Sequence, residues 1–125
     1  MRFLTKDNRG FTLIELMAVL VIMGVFASVA IKKYNNFTDN AIIMQFDRVE
    51  RELNLREMMV FIDLRISEDG YIDDATLHGM IDYNLGVAQW VGPASRTGGR
   101  VRIQGITRLL VRVESTNKKP AEWTM

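Results

Sequence analysis

Few side chains in this 125-residue sequence are placed to do chemistry, and the first is a carboxylate in an apolar run. Between Phe11 and Ile31 only Glu15 is charged, and a short basic stretch with Arg2, Lys6 and Arg9 stops at Gly10 just before it. A carboxylate near bilayer depth costs about 2.5–3.5 kcal/mol on insertion scales, so its presence points to a role. The chemistry open to it is ion pairing with a buried cation, since an unpaired buried carboxylate protonates or destabilises its surroundings. A snorkelling glutamate at the membrane interface is the alternative. A second set is cationic: Arg96, Arg100, Arg102, Arg108 and Arg112 could meet phosphates or the acidic surface of another protein subunit.

Other candidates carry less. Aligned on a calcium loop, the run Ser67–Asp74 puts Arg65 at the first ligand position and Thr76 at the last, where carboxylates are needed. That stretch reads instead as a helix exit at Asp69-Gly70 followed by a helix capped at Asp73 or Asp74. His78, the only histidine, has no nucleophile arranged around it and reads as a surface residue. With no cysteine, disulfides and thiolate metal sites are excluded. There is no glycine-rich phosphate loop and no metal-spaced histidine cluster. The sequence therefore predicts no enzyme, no cofactor and no metal.

The stretch Arg9-Gly10-Phe11-Thr12-Leu13-Ile14-Glu15-Leu16 resembles the processing signature of type IV prepilins and pseudopilins, over roughly residues 9–34. The resemblance implies cleavage between Gly10 and Phe11 by a prepilin peptidase, N-methylation of Phe11, and assembly through Glu15 paired with the Phe11 amine of a neighbouring subunit. It also implies an inner-membrane precursor with its N-terminus inside, an assembly platform, and then a filament of pilin-like subunits. The leader's positive charge agrees with that orientation. An ordinary N-terminal anchor is the rival reading. Many members have a proline shortly after the apolar run, where this chain has Ile31-Lys32-Lys33-Tyr34. Small size and the lack of cysteine and of that proline point to a minor pilin or pseudopilin.

The elements that must position these residues follow from periodicity. Phe11–Ile31 would span about 30 Å as a helix, just a bilayer core. Ile42, Phe46, Val49, Leu53 and Val60 continue it as an amphipathic helix, with Asp47, Arg48, Arg51, Glu52, Arg56 and Glu57 on a solvated face. A heptad coiled coil is a rival, but the pattern loses register near Met58-Met59. A short helix is expected from about Ala75 to Asn84, with Leu77, Met80 and Ile81 inward. Strands are expected at Val87–Val91, Arg100–Gln104 and Ile106–Glu114, with Gly105 a hairpin turn or a bulge. In that reading Arg100, Arg102, Arg108 and Arg112 lie on the polar face, and Val101, Ile103, Leu109, Val111 and Val113 in the core.

The predicted fold is α+β: a long N-terminal helix, half apolar and half amphipathic, packed against a small antiparallel sheet. Its parts are a leader at 1–10, an apolar half at 11–31, an amphipathic half at 32–66 and a head at 67–125. Charge is divided: residues 39–85 hold eleven acidic and four basic side chains, residues 86–125 two acidic and seven basic. Acidic-to-basic packing between copies suits a polymer. DNA binding for uptake, through the Arg96–Arg112 cluster, is the competing function, although no aromatic residues interleave those arginines for stacking.

Overall fold

The computed structural model describes residues 10–125. The chain divides into two compact units at Asp39 and Asn40. Helix α1, Leu13–Ile66, supplies the first unit and the helical layer of the second. Its start is a capping box: Glu15 N–H donates to Thr12 Oγ1 at 3.3 Å, while Thr12 N–H donates to Glu15 Oε2 at 2.8 Å. Two donors that the first turn leaves unpaired are thereby satisfied. In the apolar half the Ser28 hydroxyl donates back to the Val25 carbonyl at 2.7 Å, so that polar group needs no outside partner.

In the second unit α1 buries Ile42, Phe46, Val49, Leu53, Glu57, Phe61 and Leu64, spaced three or four residues apart. That spacing keeps one face toward the sheet. The helix stops at Ile66, and Gly70 takes a φ of 69° in the turn beyond it. Helix α2, Asp74–Met80, begins where the Asp73 carboxylate accepts from Thr76 N–H at 2.7 Å. It is shorter than the periodicity predicts, and Met80 is exposed while Leu77 and Ile81 are buried. Seven residues make only two turns, so few positions can face inward.

Strands β1 (Gln89–Trp90), β2 (Gly98–Ile103), β3 (Ile106–Val113) and β4 (Glu122–Thr124) form an antiparallel sheet in chain order. Gln104 and Gly105, at φ 48° and 86°, make the two-residue turn that pairs Ile103 with Ile106. Two successive positive φ values match the hairpin turn whose twist suits the flanking strands. Gly99 is required sterically, because a Cβ there would come 2.7 Å from the Trp90 ring. At Gly98, φ 133°, a Cβ would lie 2.1 Å from the Leu110 carbonyl oxygen.

The α+β arrangement matches the sequence, but the parity of β3 does not. Val101 pairs with Arg108 and Gly99 with Leu110, so Arg108, Leu110 and Arg112 share the inner face with Val101 and Ile103. Leu109, Val111 and Val113 face outward and are exposed, against expectation. The main core joins Phe46, Val49 and Leu53 of α1 to Val101, Ile103, Leu110 and Trp123. Burying each such side chain contributes about 1.5–3 kcal/mol.

Candidate functional site

In the N-terminal unit, Gly10 and Phe11 lie ahead of the first helical turn and are exposed, which leaves their peptide bond open to an enzyme. Glu15 is exposed too. Its Oε2 accepts from both the amide and the hydroxyl of Thr12, at 2.8 and 2.9 Å. The signal for Thr12 is local: Thr12-Leu13-Ile14-Glu15 fits the capping-box spacing of a hydroxyl three residues before a glutamate. The carboxylate thus has a partner within its own chain. The helix-start dipole favours its negative charge as well. Leader residues 1–9, with Arg9, lie outside the described residues.

Among the described residues, α1 is the one helix long and apolar enough to cross a membrane, and its apolar window is not buried by the rest of the chain. An exposed surface of that kind needs lipid or other apolar helices around it.

The arginines do not form one surface. Arg112 is 3% exposed. Its Nε and Nη2 donate to the two oxygens of Glu57 at 2.6 and 3.1 Å, and Nη1 donates to Asp74 Oδ2 at 2.9 Å and to the Arg96 carbonyl at 3.1 Å. This corrects the assignment of Arg112 to a polyanion or subunit contact: its donors are used inside the fold. Glu57, placed by sequence on the solvated face, is fully buried and also accepts from the Trp123 indole at 2.8 Å. Arg96 is half exposed and bridges Asp74, at 3.1 Å, and Glu114, at 3.2 Å. Arg108 lies over the Phe46 ring, 5.1 Å from its centroid, a cation–π contact. Only Arg100 and Arg102 remain outward on the sheet, the latter 3.4 Å from the Thr107 hydroxyl.

The second carboxylate of the network is Asp74, where the sequence offered only a helix cap. It accepts from Arg112, Arg96, and both the amide and hydroxyl of Ser115, at 2.7 and 2.8 Å. Burial pushes its pKa up, but the bonds from Arg112, Ser115 and Arg96 outweigh that and hold it well below the usual aspartate range. Burial likewise works against charged Arg112, and Glu57 and Asp74 overcome it, raising its pKa. With three bonds on Glu57 and four on Asp74, neither carboxylate is left free for a substrate. The network ties α1, α2, β3 and β4 together.

His78 differs from expectation, and Asn54 adds a contact that local sequence does not announce. His78 is half-buried against Tyr83, ring centroids 4.9 Å apart, and burial lowers its pKa. Asn54 of α1 makes a paired contact with the Trp123 backbone, accepting from its N–H at 2.7 Å and donating to its carbonyl at 3.0 Å. Along α1, Arg56 pairs with Glu52 at 2.5 Å, whereas Arg51 donates to the Asp47 backbone carbonyl. No cluster of metal-ligating side chains occurs among the described residues.

The described N-terminal segment thus combines a capped, exposed helix start, one carboxylate in its first turn and a bare apolar helix. Residues 5–31 match the family model of the prokaryotic N-terminal methylation motif. A probable minor fimbrial protein of Dichelobacter nodosus is 38% identical over 71 residues, covering 57% of this chain and 38% of that protein. A fimbrial protein of Pseudomonas aeruginosa is 52% identical over 33 residues, covering 26% of this chain and 21% of that protein. The motif and the names of these relatives are consistent with the resemblance of the N-terminal segment to type IV pilins. The chain spans less than two-fifths of the length of these curated relatives. No solved structure matches it.

Proposed function

We propose that this chain is a structural subunit of a type IV pilus or a secretion-system filament, a minor pilin or pseudopilin. A prepilin peptidase on the cytoplasmic side cuts between Gly10 and Phe11, and the new terminus at Phe11 is methylated. Residues 11–31 hold the precursor in the inner membrane with its N-terminus inside. The assembly platform then extracts it, and its apolar helix exchanges lipid for the helices of neighbouring subunits. In that water-poor setting Glu15 pairs with the Phe11 amine of a neighbour, the amine competing with Thr12 for the same carboxylate oxygen. An ion pair of that kind sets the axial register of helices whose apolar surfaces alone would slide.

The observation that carries this reading is the apolar half of α1, unburied by its own chain and holding a single carboxylate in its first turn. Its test is the intact mass of the protein from cells that possess the peptidase. The expected mass is that of a chain beginning at Phe11 with one added methyl group, and Gly10→Trp should leave the precursor uncut. A full-length, unmethylated parent chain in those cells would overturn the proposal.

A further inference from the structure

The second unit is a two-layer structure whose outer surfaces are both partly apolar. On the outer sheet face Leu109, Val111 and Val113 are 59%, 46% and 58% exposed along β3. Beside them runs a groove of about 420 Å³ lined by Val91, Pro93, Arg100, Leu109 and Val111 among others. Arg100 and Arg102 stand on the adjacent strand, and neither has a carboxylate within ion-pair distance among the described residues. The nearby carboxylates Glu114 and Glu122 are already paired, with Arg96 and Lys119. The free charge on this face is therefore positive.

The outer face of α1 is its counterpart. Leu55, Met59, Ile62 and Ile66, spaced four, three and four residues apart, are exposed on the side opposite the buried stripe. At its C-terminal end Asp63, Glu68 and Asp69 are exposed and have no ion-pair partner among the described residues. The nearest cation in sequence, Arg65, donates to Asn117 and covers the Phe61 ring. This end of the helix is apolar with a negative rim.

We propose that these two faces dock on each other between copies, the sheet of one subunit on the outer face of α1 of the next. Leu109, Val111 and Val113 would cover Met59, Ile62 and Ile66, and Arg100 and Arg102 would meet Asp63, Glu68 and Asp69. Charge complementarity selects a second copy as the occupant, because one chain carries both members of the match in free form. Two different surfaces in contact make a heterologous interface, which repeats without closing unless its rotation forms a ring. The inference rests on the filament reading and adds to it a contact between heads, separate from the packing of N-terminal helices.

The test uses the full chain, which has no cysteine of its own. Thr107→Cys on the outer sheet face and Ser67→Cys beyond α1 are introduced together, and cells are treated with a short thiol-specific cross-linker. The expected product is a ladder of dimer, trimer and higher species, with each single-cysteine variant stopping at dimer. Arg100→Glu with Arg102→Glu should cut the ladder at least tenfold, and adding Asp63→Lys with Glu68→Lys should restore it by exchanging the signs. A ladder that is absent, that stops at dimer, or that gives way to an adduct with another protein overturns the inference. Immunoblotting of sheared filaments separates the two ideas. Protein present there without a ladder removes only the head contact, and protein absent from filaments removes the filament reading beneath it.

Discussion

Replacing Arg112 with leucine tests what holds the second unit together. The change removes four hydrogen bonds and leaves two buried carboxylates that it had served. Asp74 keeps Arg96 and both bonds from Ser115, so it remains largely satisfied. Glu57 keeps only the Trp123 indole and bears most of the cost. Removing one partner of a buried pair costs about 3–5 kcal/mol. A domain of this size has on the order of 5–10 kcal/mol in total, so a third or more of its stability is at stake. The expected drop in Tm is roughly 10 °C or more. Melting of the full chain in detergent, followed by tryptophan fluorescence, reads it directly because Trp123 touches the site. Adding Glu57→Gln to Arg112→Leu should recover part of the loss by removing the stranded charge. A single variant within about 1 kcal/mol of the parent would refute the reasoning, as would a double variant no more stable than the single.

Two other outcomes are expected. Among the glycines, Gly98→Ala should destabilise most, since its Cβ meets a backbone oxygen at a positive φ; Gly99→Ala should cost about 1–3 kcal/mol by displacing Trp90. Denaturant melts of both, beside Gly105→Ala where the space is open, check that order. His78 titrates below its ordinary value because it is half-buried, facing Tyr83 with Arg112, Glu57, Asp74 and Arg96 around it. A folded pKa below the unfolded one means stability is full above about 6.5 and declines as pH falls through the folded value. Asp74, depressed in the same sense, adds a further loss below about pH 4. Melting across pH 4–7 should show a decline that His78→Gln removes, and a parent curve flat between pH 5 and 7 would count against this account.

The long helix, the hairpin at Gly105 and the motif around Gly10 were legible because each depends on local spacing. The buried charge network was not, for two separate reasons. Glu57 follows Leu53 by four residues and so sits on the buried stripe, but an ionisable residue type points to solvent unless a buried partner is known. On β3 the run Leu109-Leu110-Val111 has no alternation, so parity could not be read from that strand alone. It was available by another route: a two-residue turn pairs Ile103 with Ile106, and inward Val101 then puts Arg108, Leu110 and Arg112 on the same side. Asp74 and Ser115 meet only when α2 and the end of β3 come together, 41 residues apart in sequence, and no local pattern announces that.

The amide of Asn54 has a meaning beyond the two bonds it makes. β4 is an edge strand, and its central residue directs its N–H and C=O away from β3, toward Asn54. Bare edges recruit other edges, and the product of that route is cross-β fibre, which is very hard to undo. A subunit packed against others in the proposed filament would be exposed to that hazard. By lending β4 a side chain in place of a neighbouring strand, α1 blocks the misdirected association at its centre. In the proposed filament such a block would leave subunit association to surfaces that can also let go.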